Sequence, residues 1–186
     1  MTEEELLHKA INEPVQIVPY DSGWPQQFEN EKTRLVTFFP AAFLSIEHVG
    51  STAVPGLSAK PIIDIVAAVC SMEMADAILP LLCEAGYTAS AEFNAMLKNR
   101  RWLMHHCNGR RTHHLHLVLL GSDDWINRVR FRDILRANPF VAQRYVNLKR
   151  KLAEKIGSDR EAYTHAKSKF VEDTLKSTAI LLDLKG

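Results

Sequence analysis

A single carboxylate, Asp64, interrupts an otherwise apolar and largely β-branched segment that runs from Pro61 to Val69. Such a segment is typical of a strand buried on both faces of a sheet. An ionised carboxylate in that environment needs a metal ion, a cation or strong hydrogen bonds to compensate for its lost hydration. Because Lys60 or backbone N–H groups could supply that compensation, Asp64 is either a structural acid or the centre of a site.

The tripeptide Gly50, Ser51 and Thr52 follows a predicted strand at Phe43 to Val49. A strand that ends in Gly-Ser-Thr can present backbone N–H groups and two hydroxyls to a phosphate, and Gly50 permits a close approach. By itself the tripeptide is a weak signal, since the same residues form ordinary turns and helix caps. Its proximity to Asp64 in the chain favours a phosphate-binding loop.

A run of histidines, Thr112 to His116, supplies candidate metal ligands. On a strand, His114 and His116 project from one face and can meet one metal ion, whereas His113 projects from the other. His48, on an earlier strand, could add a third imidazole. One carboxylate with two or three imidazoles suits Mn, Fe, Ni or Zn better than Mg²⁺. The alternative is that these are hydrogen-bonded structural histidines.

Hydrophobic patterning predicts the elements that position these residues. The predicted strands are 15–18, 43–49, 61–69, 87–90, 101–106 and 113–120, the last two joined by a turn at Asn108-Gly109-Arg110-Arg111. The predicted helices are one that starts at a Thr2/Glu5 capping box, one from Asp21 to Pro40, one over 74–86, and three after Ser122. These elements predict an α+β fold in one domain, 1–186, with a mixed-sheet core over about 15–120 and C-terminal helices over about 122–184.

Charge is uneven along the chain. Residues 1–120 contain 9 Lys and Arg against 13 Asp and Glu, whereas residues 121–186 contain 14 against 9. A formal net charge of only +1 gives no strong nucleic-acid signal, but the basic third could bind a phosphorylated small molecule. At least two of its cations are expected over the loop at 50–52, the candidates being Arg132, Lys149, Arg160 and Lys167. The alternative is surface salt bridges to Asp133, Glu154 or Glu161.

Composition and missing motifs exclude several protein classes. With 46% hydrophobic and 24% charged residues the chain is globular, and no apolar stretch approaches the roughly 18–20 residues of a membrane span. The cysteines, Cys70, Cys83 and Cys107, form no paired spacing. The acidic start Met-Thr-Glu-Glu-Glu predicts a cytoplasmic protein. The sequence contains no P-loop, His-Glu-x-x-His, His-Asp or Gly-x-Ser-x-Gly motif.

Nearly the whole chain resembles the GrpB family, an uncharacterised family of the nucleotidyltransferase superfamily. Two runs carry most of this resemblance, Gly50-Ser51-Thr52-Ala53-Val54-Pro55-Gly56-Leu57 and Lys60-Pro61-Ile62-Ile63-Asp64-Ile65. Further matching segments are Val18 to Asp21, Trp24-Pro25 with Phe28, Thr112 to His116, Phe131 to Asp133, Leu135-Arg136, Tyr145 with Leu148-Lys149, and Asp159 to Tyr163 with Lys167 and Phe170.

The resemblance implies a minimal nucleotidyltransferase fold, a mixed sheet with flanking helices, in which Gly50 and Ser51 occupy the phosphate-side loop. Asp64 then stands at the first position of the superfamily's Asp-x-Asp, but the second position is Val66. The third acidic position is occupied by His116 or His114. Ordinary members hold paired Mg²⁺ ions with several carboxylates, of which this chain retains one. The family also occurs joined to dephospho-CoA kinase, which suggests nucleotide or CoA-related ligands.

Together these observations predict a nucleotidyltransferase-like protein that binds a nucleotide or related phosphorylated ligand, with no membrane partner. The expected ligand-binding residues are Gly50, Ser51, Thr52, Lys60, Arg132, Lys149, Arg160 and Lys167. A divalent ion, Mg, Mn or Zn, is expected at Asp64, His114, His116 and His48, with Asp64 and His116 catalytic. Two alternatives stay open, a metal-dependent phosphohydrolase and a non-catalytic nucleotide-binding or accessory module.

Overall fold

A five-stranded mixed sheet forms the centre of the computed structural model, which describes residues 2–14, 16–156 and 160–183, without the side chains of 3, 155–164 and 178–183. The sheet order is β1-β2-β5-β4-β3, and β2 and β5 are its parallel neighbours. The other pairs are antiparallel. The strands are β1 (Ser45–Val49), β2 (Ile63–Val69), β3 (Tyr87–Thr88), β4 (Arg100–Cys107) and β5 (Arg110–Leu119).

Helices flank the sheet and make up nearly all of the described chain after residue 122. They are α1 (Glu3–Ile11), α2 (Trp24–Phe38), α3 (Met72–Glu84), α4 (Ala91–Ala95), α5 (Asp123–Ala137), α6 (Pro139–Ile156) and α7 (Arg160–Asp183), with a short 3₁₀ helix at Ser51–Ala53. The predicted α+β fold with a helical C-terminal third is confirmed. Within the described ranges, no helix is both long enough and apolar enough to cross a bilayer.

The two faces of the sheet differ in chemistry because side chains alternate along each strand. One face carries Ile63, Ile65, Leu115 and Leu117, all fully buried against α2 and α3, and we call it the apolar face. The opposite face, which we call the polar face, carries Asp64 of β2, His114 and His116 of β5, and Arg100 of β4.

Helix α5 packs on the polar face through a small apolar patch. Val49, Val66 and Val118 of the sheet contact Trp125 and Val129 of the helix. The last two helices complete this side, since a second apolar cluster joins α5, α6 and α7 to the segment after the 3₁₀ helix. The polar residues of the face therefore lie beneath and beside the helical third.

Two predicted elements near the edges of the sheet differ from the structure. The strand expected at 15–18 is reduced to one bridge between Val18 and Ala59, with Val15 outside the described residues. The strand expected at 87–90 has two residues and is followed by α4, which sequence patterning missed. The Asn94 side chain explains this, because its amide donates to the Trp102 carbonyl (2.9 Å) and its oxygen accepts from the Trp102 N–H (2.7 Å). Asn94 therefore occupies the position beside β4 that a longer β3 would take.

The predicted hairpin between β4 and β5 is confirmed. Asn108 and Gly109 occupy its turn with φ of 52° and 72°. Two positive φ angles in succession are the requirement of the tight turn that suits twisted antiparallel strands, which explains the Asn-Gly pair. This hairpin places the histidine-bearing strand β5 in the middle of the sheet, between β2 and β4.

Candidate functional site

Asp64 and His114 are the closest polar pair on the polar face. They are opposite each other in the parallel pairing of β2 and β5, and His114 Nδ1 lies 3.0 Å from Asp64 Oδ1. The Asp64 side chain is 33% exposed and that of His114 is 19% exposed, so both remain accessible to a ligand. The strand register, which sequence patterning does not give, brings these two residues together.

Surrounding cations keep the Asp64 carboxylate ionised. Burial by itself would raise the pKa of Asp64, but the His114 hydrogen bond and the charges of His114, Lys167 and Arg128 outweigh burial and lower it. The ionised carboxylate accepts, so Nδ1 of His114 is the donor. Nε2 of His114 is buried without a hydrogen-bond partner in the described part of the chain.

Gly50 approaches the Asp64 side chain closely. Its φ is +72°, and a Cβ built at this position would lie 3.0 Å from the Asp64 Cβ and closer still to its carboxylate. Only glycine combines this left-handed backbone with so little space. The close approach at Gly50 is made to the carboxylate of β2, and the approach to a phosphate expected from the sequence stays a prediction. The 3₁₀ helix then begins at Ser51.

Lys149 of α6 holds the segment 50–58, which we call the Ser51 loop. The side chain is buried, and its Nζ donates to Ser51 Oγ (2.9 Å) and to the Ser58 carbonyl (2.8 Å). The same ammonium lies 4.9 Å from the centre of the Tyr145 ring. Burial, followed by the charge of Lys167, lowers the pKa of Lys149 to about 7 although Asp64 opposes this shift. A buried ammonium bound to neutral oxygens is well suited to accept an anion.

Lys167 of α7 is a second cation near the carboxylate. Burial lowers the pKa of Lys167, and the charge of Asp64 opposes that effect. The charges of Lys149 and Lys167 thus both interact with that of Asp64, and Lys149 also contacts the Ser51 loop. The side chain of Arg160, a third predicted cation, lies outside the described residues. Lys60 lies half-buried just before β2, and its ligand-binding role stays a prediction.

Arg132 does not belong to this cation group. It is 8% exposed, and its Nη1 donates to Glu47 Oε2 (2.7 Å) and to the His48 carbonyl (3.0 Å), while its Nε donates to Asp133 Oδ1 (2.8 Å). Two carboxylates already neutralise this guanidinium, so the salt-bridge alternative is correct for Arg132. The helical stripe predicted its burial correctly but could not identify its partners.

The structure also corrects the placement of His48 and Thr52. His48 projects from the apolar face, where its ring stacks on Phe28 with 4.9 Å between centroids, so it cannot share a metal ion with Asp64. Burial lowers the pKa of His48 to about 4. Its Nε2 lies 3.0 Å from Thr52 Oγ1, which itself donates to the Ile62 carbonyl at 3.1 Å. The Thr52 hydroxyl is therefore buried in a structural network and does not face a ligand.

His116 shares the polar face but is not the partner of Asp64. It pairs in register with Val66, two residues beyond His114 along β5. It is 9% exposed, and burial, then the charges of Arg128 and Arg100, holds the pKa of its imidazole well below the ordinary value. Its Nδ1 is buried without a hydrogen-bond partner among the described residues. Of the two histidines left open by the sequence, His114 is the one that meets Asp64.

The donor set around Asp64 fits an anionic ligand better than a resident metal ion. No group of three or more His, Cys, Asp or Glu side chains that could hold a metal ion occurs among the residues described. One oxygen of Asp64 is already bonded to His114, and the charges of Lys149, Lys167 and Arg128 act on the same carboxylate. Positive charge repels a divalent cation and attracts phosphate. The metal ion stays a prediction.

Sequence reasoning missed Arg128 and Arg100. Arg128 lies one helical turn before Arg132 on α5, and its charge acts on Asp64. The i, i+4 spacing with Arg132 was a usable signal for it. Arg100 carried no such signal, because it starts β4 and reaches the polar face through the register Arg100 to Val118.

A half-open pocket lies elsewhere, at the edge of β1. It measures about 280 Å³ and is lined by residues that include Tyr20, Phe28, Glu47, Arg132 and Arg136. Asp64, His114 and Lys149 do not line it. We place the candidate site at Asp64 because the charges of His114, Lys167 and Arg128, from three separate chain segments, act on that carboxylate, whereas Arg132 and Arg136 of the β1-edge cavity already donate to Glu47 and to the Ala53 carbonyl.

Comparisons with known proteins agree with this architecture. A crystal structure of the conserved protein GrpB from Enterococcus faecalis matches with a TM-score of 0.75 at 33% sequence identity, covering 88% of this chain and 99% of that chain. The Glutamate-rich protein GrpB of Alkalihalophilus pseudofirmus is 36% identical over 167 residues, which cover 86% of this chain and 92% of that protein.

Some relatives are about twice as long as the matching chain. A Dephospho-CoA kinase of Mycolicibacterium paratuberculosis is 29% identical over 189 residues, covering 88% of this chain and 46% of that protein. Another curated relative, 32% identical, is covered to 48% of its length. A family profile described as GrpB protein matches residues 14–177, which is most of the chain. On this match, with the full-length similarity to GrpB proteins, the chain belongs to the GrpB family.

Proposed function

We propose that this protein binds a nucleotide or a related phosphorylated ligand at the Asp64 site, with the phosphate against the Ser51 loop, Lys149 and Lys167. The observation that carries the proposal is the buried ammonium of Lys149, which is bonded to Ser51 and Ser58. Neither of these partners is charged. A phosphate at this position would supply the counter-charge and would return the Lys149 pKa toward its ordinary value.

The names of relatives support the same ligand class. One relative is a dephospho-CoA kinase in which this chain spans less than half of the length. A kinase of that name handles nucleotide phosphates, so a nucleotide or CoA-related ligand is a reasonable first choice for the family's shared segment. The superfamily resemblance at Gly50, Ser51 and Asp64 favours nucleotides independently.

Nucleotidyl transfer would give Asp64 and one of the polar-face histidines a catalytic role. Asp64, through the carboxylate oxygen that is not bonded to His114, would contact a divalent ion that enters with the ligand's phosphates, and such an ion would supply Lewis-acid activation of the phosphate. His114 donates through Nδ1 to Asp64 and would hold that carboxylate in one orientation. Asp64 and His114 would then stand where ordinary members of the nucleotidyltransferase superfamily use several carboxylates.

A non-catalytic nucleotide-binding module is the second candidate. The observation that favours it is the loss of the second acidic position to Val66, together with the hydrogen bond that already occupies Asp64. Such a module would recognise the nucleotide through the Ser51 loop and leave it unchanged. Both candidates require phosphate binding, and they differ in the fate of the bound nucleotide.

Calorimetric titration with nucleoside mono- and triphosphates, with and without Mg²⁺, tests the shared part of the proposal. We expect Lys149→Met to weaken binding at least about tenfold, because it removes a charge-assisted hydrogen bond and keeps the side-chain length. Lys151→Met, an exposed position on the same helix, is the matched control and should bind as the parent does. Equal affinity in parent and Lys149→Met would contradict the proposal.

Incubation with nucleotides labelled in the α- or γ-phosphate distinguishes the candidates. Transfer leaves a labelled acceptor, whereas hydrolysis releases free phosphate. A binding module leaves the nucleotide intact even when calorimetry shows that it is bound.

A further inference from the structure

Two guanidinium groups share one carboxylate on the polar face, apart from the residues that the proposed function assigns to the phosphate. Arg100 Nη1 lies 3.4 Å from Asp124 Oδ1, and Arg128 Nη2 lies 3.6 Å from the same oxygen. Both distances are long for charge-assisted hydrogen bonds. The three side chains come from the start of β4 and the first turns of α5. This group, Arg100, Arg128 and Asp124, therefore has one positive charge in excess.

Without a bound anion, the pair of arginines Arg100 and Arg128 destabilises the folded protein. Burial, followed by the charge of Arg100, lowers the pKa of Arg128 although Asp124 and Asp64 oppose the shift. The Nε atoms of both arginines are buried and have no hydrogen-bond partner among the described residues. Like charges held together with unpaired donors destabilise a fold unless an anion completes them. About a quarter of each side chain is exposed, 24% for Arg100 and 26% for Arg128, so an anion can reach them.

The arginine pair lies in line with the Asp64 site. In the sheet register, Asp64 pairs with His114, Val66 with His116, and Arg100 with Val118. Each step of two residues along a strand is about 6.7 Å, so Arg100 starts about 13 Å from the Asp64 row. The charge of Arg128 acts on both Asp64 and His116, so the arginine pair and the Asp64 site interact electrostatically. His116, with its unpartnered Nδ1, lies on the same line.

We propose that Arg100 and Arg128 form a second anion-binding subsite, which takes a separate anionic group of the ligand whose first phosphate lies at the Ser51 loop. The inference rests on the proposed function and narrows it. The ligand then carries at least two anionic groups spread along the polar face, as a polyphosphate chain does. A ligand with one phosphate would leave the arginine pair unused.

Inorganic probes test this subsite without assuming a nucleoside. Orthophosphate and tripolyphosphate are titrated calorimetrically into the parent, Arg100→Gln, Arg128→Gln and Lys149→Met. We expect either arginine variant to weaken tripolyphosphate binding at least about tenfold and to change orthophosphate binding less than about twofold. Lys149→Met should weaken both probes. Arg130→Gln, with the same change of charge on the same helix, should behave as the parent does.

The outcomes separate this inference from the proposed function. If Lys149→Met loses binding and the arginine variants bind as the parent does, the subsite is overturned and the proposed function stands. Loss confined to the arginine variants would support the anion subsite and overturn the role of the Ser51 loop. A parent that binds neither probe overturns both.

Thermal unfolding tests whether the arginine pair serves only the stability of the fold. If the arginine pair is kept for binding, Arg100→Gln should leave the melting temperature unchanged or raise it, because it removes the repulsion with Arg128. A lowered melting temperature, together with equally weakened binding of both probes, would assign the pair to folding and would overturn the subsite.

Discussion

Buried polar groups on the two faces of the sheet differ in whether they have charged hydrogen-bond partners. On the apolar side, Glu31 accepts from Tyr87 Oη at 2.6 Å and from Arg34 at 2.6 and 2.9 Å. Burial alone would raise the pKa of Glu31, but these partners outweigh it and lower it. On the polar side, Lys149 is bonded to uncharged oxygens and the arginine pair shares one carboxylate.

This difference indicates what each face is for. The Glu31 network contains its own counter-charge and hydrogen bonds, so it contributes to folding without any ligand. The polar face carries excess positive charge and four buried nitrogens without partners in the described residues, on Arg100, Arg128, His114 and His116, whereas the apolar face carries one, on His113. Surplus charge that folding does not need is typical of a binding site. Substitutions on the two faces test this contrast.

The largest effect is expected at Lys149. Its pKa is lowered to about 7 in the folded protein, whereas an unfolded lysine titrates near 10.4. Between these values the unfolded chain binds more protons, so the stability of the parent should rise as pH increases from 7 to 10. The rise should total on the order of 3 kcal/mol.

Lys149→Met should remove this rise, as measured by urea unfolding at several pH values. The difference between parent and variant is the quantity to compare, because other groups also titrate in this range. Lys151→Met should retain the rise of the parent. A pH dependence shared by parent and Lys149→Met would show that the polar face is not electrostatically strained at this lysine.

Gly50→Ala tests the contact between the Ser51 loop and the Asp64 site. The variant must place a Cβ at φ +72° against the Asp64 side chain, and should lower the free energy of unfolding by about 2–3 kcal/mol. Gly56→Ala is the matched control, since it has φ +77° but nothing within 4 Å of the added Cβ. Urea unfolding should therefore show a smaller loss for Gly56→Ala. Equal losses of unfolding free energy in the two variants would mean that the positive φ alone causes the loss and that the contact with Asp64 adds nothing.

The smallest effect is expected on the apolar side. Tyr87→Phe removes the hydroxyl that donates to Glu31 and should lower the free energy of unfolding by about 1–2 kcal/mol, since Arg34 still pairs with the carboxylate. Phosphate binding should not change. Tyr20→Phe, a partly exposed ring packed on Trp24, serves as the control for loss of a tyrosine hydroxyl. A Tyr87→Phe variant that loses ligand binding while it stays folded would break the division between the two faces.

Local patterns predicted most of the elements and several residues of the site. The apolar run after residue 61 identified β2 and marked Asp64 as an acid that needs partners, and the Asn108-Gly109 pair identified the central hairpin. Gly50 was recognisable as a point of close approach. In each case the signal is local, because strand periodicity and positive φ depend on a few neighbouring residues. The short helix α4 was missed because its position depends on a side-chain contact between Asn94 and the backbone of the following strand, which periodicity does not report.

The sequence by itself determined that Asp64 is the one charged residue of an otherwise apolar strand in an α+β domain, that a Gly-Ser loop precedes it, and that basic residues follow in the helical third. The tertiary structure alone decided which of these residues meet. Alternation assigns each side chain of one strand to one of two faces, but it does not show which side chains of a neighbouring strand lie on the same face. Only the sheet register therefore shows that His114 joins Asp64 and that His48 does not. A helical stripe fixes burial but not partners, so only packing shows that Lys149 reaches Ser51 and Arg132 pairs with Glu47.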